Sequence, residues 1–136
     1  MTRKKNSYSE ITQDIVELSV LCEKNSMIDP ELYARYEVKR GLRDVNGRGV
    51  LTGLTEISEI QAFAKEGDQL IPAQGKLYYR GIDIEQIISG IMDEKRYGFE
   101  EVTYLLLYGE LPTEEELKKF TQILAGYRTL PTNFVR

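Results

Sequence analysis

The spacing of apolar and polar positions along the chain predicts five helices and one short β ribbon. From Tyr8 to Lys24, the residues Ile11, Ile15, Leu18 and Cys22 recur at helical period, and Val16, Val20 and Leu21 widen the stripe. Ser7 and Glu10 stand at capping-box spacing, in which each side chain satisfies a free backbone N–H at a helix start. Cys22 lies on the stripe with no basic partner beside it, so it reads as a small core hydrophobe and not as a reactive thiol. Asp29 and Pro30 then read as the N-cap and first residue of a short helix reaching Tyr36. After Gly81, Asp83 and Gln86 fit an N-cap and its N3 partner, and Ile84, Ile87, Ile88, Ile91 and Met92 form one face. Gly98 opens a fourth helix in which Val102, Tyr104, Leu105, Leu106, Leu107 and Tyr108 leave almost no polar side before Gly109 ends it. Such a helix is normally buried on several sides. Thr113 and Glu116 form another capping box, opening a helix whose Leu117, Phe120, Ile123 or Leu124, and Tyr127 share a face before Pro131.

Between the second and third helices the period changes. Val50 to Ile57 and Gly75 to Arg80 read as two strands of an antiparallel ribbon, and Gln61 to Gln74, with Gly67, Asp68, Pro72 and Ala73, reads as an exposed excursion between them. The expected fold is mainly α with a small antiparallel β ribbon near residues 50–57 and 75–80.

Composition narrows the chemistry. A chain of 136 residues, 41% hydrophobic and 29% charged, is enough for one ordinary domain but not for two. A net charge of −4 argues against a nucleic-acid binder. With one cysteine and no histidine, the chain has no internal disulfide, no cysteine-built metal site and no Ser/His or Cys/His pair. Arg3, Lys4 and Lys5 are followed by Asn6, Ser7 and Tyr8 and not by an apolar run, which is unlike a signal peptide, and no run of apolar residues reaches membrane-spanning length. A cytoplasmic protein without metal, nucleic acid or membrane is expected, poorly equipped for catalysis by itself.

One stretch departs from the acidic average. From Arg35 to Arg48, five basic residues (Arg35, Lys39, Arg40, Arg43, Arg48) face Glu37 and Asp44, a local +3, which is either a solvated connector or the place for an anion. Asn46 and Gly47 signal a turn. Gly47 and Gly49 do not make a dinucleotide-binding loop, because Thr52 stands where the third glycine belongs and β-leaning residues follow where a helix N-terminus is needed.

The run Gly75-Lys-Leu-Tyr-Tyr-Arg-Gly81-Ile-Asp-Ile-Glu85, then Phe99 through Leu117 with its Tyr-Leu-Leu-Leu-Tyr-Gly-Glu-Leu-Pro-Thr core, resembles the N-terminal part of citrate synthase. Gly49 to Ser58 resembles the family's β segment ahead of its Tyr-Arg-Gly element, and the likeness runs from about Asp29 to Pro131. The resemblance implies an N-terminal helix over residues 1–28 and a family-matching region over 29–136 that is the N-terminal part of a helical large domain, with the small domain and catalytic part absent. It also implies an acyltransferase of the tricarboxylic acid cycle, a homodimer, that condenses acetyl-CoA with oxaloacetate. Acetyl-CoA is there a substrate, and no cofactor is needed.

In the family an aspartate and two histidines do the chemistry, and none of them has a counterpart here, so no catalytic residue is assigned. One binding residue carries over by resemblance: Gly41-Leu42-Arg43 is similar to a family stretch whose arginine reaches a phosphate of CoA, a task suited to a permanently charged, multi-donor guanidinium. Asp44 to Arg48 lengthens the turn relative to the family form, and Arg48 is the competing candidate. For Arg80 the resemblance implies a structural role, with Gly81 letting the strand turn into the helix. Two alternatives stay open: a stand-alone, non-catalytic citrate-synthase-like interaction or regulatory module, and a fragment of a 2-methylcitrate synthase.

Overall fold

The structure is a computed structural model that describes residues 10–39, 41, 43–47, 49–67, 69–128, 130 and 134. In chain order the elements are α1 (Gln13–Asn25), α2 (Pro30–Arg35), β1 (Ser58–Glu66), β2 (Gln69–Tyr79), β3 (Ile82–Asp83), α3 (Ile84–Asp93), α4 (Phe99–Tyr108) and α5 (Glu114–Tyr127). The mainly α class with a small antiparallel sheet is as the sequence predicts. The elements fall into two units, Met1–Asn25 with Ile91–Arg136, and Ser26–Gly90, the boundary lying within α3.

The first unit is built on side chains. Tyr104, Tyr108 and Phe120 are buried together, with ring centroids 4.6 to 5.8 Å apart and Phe120 meeting both tyrosines edge-on. Leu18, Leu21 and Cys22 of α1 and Leu124 of α5 pack against this cluster, so Cys22 fills the core position expected of it. Val16, Val20 and Ile11 are exposed, which makes the packed face of α1 narrower than the predicted stripe. In α4, Tyr104, Leu105 and Tyr108 are buried, while Leu107 faces out. Glu101 is buried too, and its carboxylate accepts a hydrogen bond from Arg96 Nη1.

Local signals set these helix ends. Thr113 and Glu116 form the full capping box, with the Glu116 N–H donating to the Thr113 hydroxyl and the Glu116 carboxylate accepting from Thr113 N–H. Gly109 closes α4 in the left-handed region at φ 86°, its N–H donating to Leu105 O. A Cβ there would also lie 3.0 Å from that of Asn25, whose side-chain amide donates to Tyr108 O at 2.7 Å. The start of α1 is a correction. The helix opens at Gln13, and Thr12 serves it, its hydroxyl accepting from Ile15 N–H at 3.3 Å. Glu10 precedes the helix, and Ser7 and Tyr8 lie outside the described residues, as does Pro131.

The second unit is built on backbone pairing. β1 and β2 form an antiparallel hairpin and β3 adds a short third strand, in the order β1-β2-β3. The expected strand at Val50–Ile57 does not form: residues 50–57 contain no strand, and pairing begins at Ser58 and Tyr79 and runs through the stretch expected to be a loop. The reason lies in turn spacing. Glu66 pairs with Gln69 across Gly67 and Asp68, a two-residue connection with Gly67 at φ 59°, and a Gly-Asp pair between β-capable runs is a hairpin signal and not a loop signal. Pro72 is tolerated because β3 reaches only Tyr78 and Tyr79, which leaves β2 an open edge beside Pro72, and because the register shifts between Gln61 and Phe63. The excursion is nevertheless exposed as expected, with Phe63 and Leu70 open to solvent.

Candidate functional site

The candidate anion site lies on the connector after α2. That helix starts as predicted: the Asp29 carboxylate accepts from Glu31 N–H at 2.9 Å and Pro30 takes the first helical position. The chain then forms a small closed loop. Lys39 N–H donates to Leu51 O at 2.8 Å, and Arg43 bridges Gly49 in antiparallel fashion. Between them Gly47 N–H donates to Asp44 O at 2.9 Å, and Asp44 Oδ1 accepts from Val45 N–H. The turn therefore centres on Val45 and Asn46, with Asp44 entering it and Gly47 leaving it at φ 79°, one step earlier than the Asn46-Gly47 signal suggests.

Arg43 is exposed and lies at the base of this loop. Its Nη1 donates to Gly47 O at 2.8 Å, so the guanidinium helps to hold the turn that follows it. A guanidinium has five N–H donors, and among the described residues one of those of Arg43 is used, so the group can hold the loop and still present donors to a phosphate. Of the other basic residues, Arg35 lies over the Tyr36 ring at 5.7 Å and Lys39 approaches Glu37 at 4.0 Å. Arg48, the competing candidate, lies outside the described residues, as do Arg40 and Leu42.

The Tyr-Arg-Gly element occupies the turn from β2 to β3. Tyr79 pairs with Ile82, leaving Arg80 and Gly81 as a two-residue loop with φ 48° and 82°. Positive φ at both central positions is the mark of the primed turn that suits strand twist, and Gly81 is the residue that adopts it without cost. Just beyond, Asp83 Oδ1 accepts from Glu85 N–H at 2.9 Å, and Asp83 Oδ2 lies 3.0 Å from Lys76 Nζ. The Glu85 N–H first and then Lys76 hold the Asp83 carboxyl below its ordinary value. Asp83 and Glu85 together raise Lys76 above its own. A lysine held in that way stays protonated near neutral pH, so it offers neither a base nor a nucleophile. Among the described residues no group of three or more Cys, Asp or Glu is arranged to hold a metal ion, and no helix is long and apolar enough to cross a membrane.

Comparison with known proteins gives these elements a context. A sequence model of the family described as "Citrate synthase, C-terminal domain" matches residues 41–136. The chain is 32% identical over 99 residues to 2-methylcitrate synthase 1 of Corynebacterium glutamicum, covering 73% of this chain and 20% of that protein. It is 39% identical over 94 residues to the citrate synthases of Thermoplasma acidophilum and Haloferax volcanii, covering 68% and 69% of this chain and 19% of each of theirs. The chain thus spans about a fifth of the length of these relatives. No solved structure is a significant match. The family match takes in the Arg43 loop, the Tyr-Arg-Gly turn and the α4–α5 pair, and by that match the chain is a member of the citrate synthase family.

Proposed function

We propose that this chain forms the front portion of the large domain of a citrate synthase, which condenses acetyl-CoA with oxaloacetate to give citrate and CoA, in a cytoplasmic homodimer. The observation that carries the reading is the family match over residues 41–136. In this reading α4, α5 and the hairpin unit are scaffold, Arg43 is the one CoA-binding residue, on a phosphate remote from the reacting carbon, and no separate cofactor is needed. The chain by itself is inactive, because the aspartate and histidines that would move protons and polarise the ketone are supplied from elsewhere in the enzyme. Positioned proton transfer alone is worth about 10² to 10⁴ in rate. Relatives named as 2-methylcitrate synthases support a second reading in which the acyl-CoA is different and the scaffold the same.

The purified chain is expected to release no CoA thiol from acetyl-CoA and oxaloacetate above the enzyme-free rate. Turnover that disappears on denaturation would overturn the scaffold reading. In the complete enzyme, Arg43→Ala is expected to raise KM for acetyl-CoA by about fivefold, a loss of about 1 kcal/mol, with kcat little changed, because a remote phosphate contact is made equally in ground and transition states. Arg43→Ala also removes the bond to Gly47 O, so Arg43→Lys, which keeps the charge, is the companion variant. If Arg48→Ala raises KM and Arg43→Ala does not, the anion site belongs to Arg48.

A further inference from the structure

Arg43 is exposed, and an exposed arginine ordinarily samples many rotamers, which is a poor way to keep a planar group ready for a partner. Here one end of the guanidinium is tied down. Its Nη1 donates to Gly47 O at 2.8 Å, while the main chain of Arg43 is itself fixed by the antiparallel bridge to Gly49. The acceptor is a neutral carbonyl, so the tether restrains the plane of the group and leaves its full charge for an anion. Asp44, the nearest acid in sequence, serves the turn: its Oδ1 accepts from Val45 N–H at 2.7 Å, and among the described residues it makes no ion pair with Arg43.

The backbone of Gly47 aims that carbonyl. Its N–H donates to Asp44 O at 2.9 Å, closing the turn, and its φ is 79°. This is left-handed backbone, which glycine adopts freely, asparagine tolerates and a β-branched residue resists. A Cβ added at Gly47 would meet nothing within 4 Å, so space is no reason for a glycine at this position. The conformation is the reason, and it sets the direction in which the C=O points.

We propose that Gly47 is a positioning residue for acyl-CoA binding, its left-handed backbone aiming the carbonyl that holds the Arg43 guanidinium in orientation for a CoA phosphate. The proposal rests on the reading of Arg43 as the phosphate-binding arginine. A guanidinium already held in one orientation loses less freedom when the phosphate arrives, so the turn from Asp44 to Gly47 contributes to affinity without touching the ligand.

The test is steady-state kinetics on the complete enzyme with acetyl-CoA as the varied substrate, comparing Gly47→Val, Gly47→Asn, Arg43→Ala, and Arg43→Ala combined with Gly47→Val. Gly47→Val is expected to raise KM about threefold to fivefold with kcat little changed, the pattern of a lost remote contact. Gly47→Asn is expected to stay within about twofold of the parent, because asparagine keeps the backbone conformation. In the Arg43→Ala background Gly47→Val should add less than about 1.5-fold, since a residue that acts only through Arg43 then has nothing left to position. If Arg43→Ala raises KM and Gly47→Val does not, the positioning role is overturned while the phosphate reading stands. The role is also overturned if the two effects multiply in the combined variant, if Gly47→Asn raises KM as much as Gly47→Val, or if kcat falls in place of a rise in KM. An unchanged KM in Arg43→Ala overturns the phosphate reading and this proposal with it.

Discussion

The two units of this protein are held together in different ways. Among the described residues, four of the five buried apolar side chains, Tyr104, Leu105, Tyr108 and Phe120, belong to the unit of α1, α4 and α5, and the hairpin unit contributes Ile87. In the first unit, aromatic rings from separate helices fill one volume, so stability depends on shape. In the second, the described side chains of β1 are exposed and the order comes from the strand ladder and its turns, so stability depends on backbone conformation at a few positions. The same substitution type should therefore have opposite weight in the two units.

The largest effect is expected at the ring cluster. Phe120→Ala should cost about 3–5 kcal/mol and melt the helical unit, as followed by urea denaturation with far-ultraviolet circular dichroism. If the loss is under about 1 kcal/mol, the cluster is not the core of that unit. In the hairpin unit the corresponding weak point is backbone: Gly81→Ala forces a Cβ into a φ of 82° and should cost about 1–2 kcal/mol, read as early loss of amide protection at Tyr79 and Ile82. Thr113→Ala removes the acceptor for Glu116 N–H and should cost about 1 kcal/mol, with fraying confined to the first turn of α5.

Acid should act on that same cap. The Thr113 N–H first, and then its hydroxyl, hold Glu116 below its ordinary value of 4.5, so the folded state binds this proton less readily than the unfolded state. The stabilisation is complete above that value and is lost as the pH falls through the lower folded one. Urea midpoints measured from about pH 6 to pH 3 should fall less steeply in Thr113→Ala than in the parent. The smallest effect is expected for an apolar side chain in the ribbon: Ile60, 76% exposed, should tolerate Ile60→Ser within about 0.5 kcal/mol. A large loss there would mean that the ribbon has an apolar partner, and light scattering of the parent would then show association.

How much of this was legible in the sequence depended on the range of the interaction concerned. Asp29-Pro30, Thr113-Glu116 and Gly109 act within one turn of chain, and the structure uses each as read. Val50–Ile57 looked as β-capable as Ile60–Lys65 by composition, and the choice between them was made by which run faces a partner across a two-residue turn. Residue type does not carry that information, whereas the Gly67-Asp68 spacing does. The turn after Arg43 was signalled by Asn46-Gly47, but not the use of the Arg43 guanidinium to hold it, because a side chain that reaches four residues along the chain to a carbonyl leaves no pattern in residue type.

By itself, then, the sequence determined the helix count, the caps at Asp29, Gly109 and Thr113, the mainly α class and the family, all of which rest on short-range pattern or on runs of matching residues. Tertiary structure decided which part of each apolar stripe is core. Leu18, Leu21 and Cys22 meet the rings while Val16 and Val20 do not, because the direction from which α4 and α5 approach selects an arc of α1 that periodicity alone leaves wider. It also brought Glu17, Tyr104 and Lys119 to one groove, since they come from three helices and become neighbours only once those helices have packed.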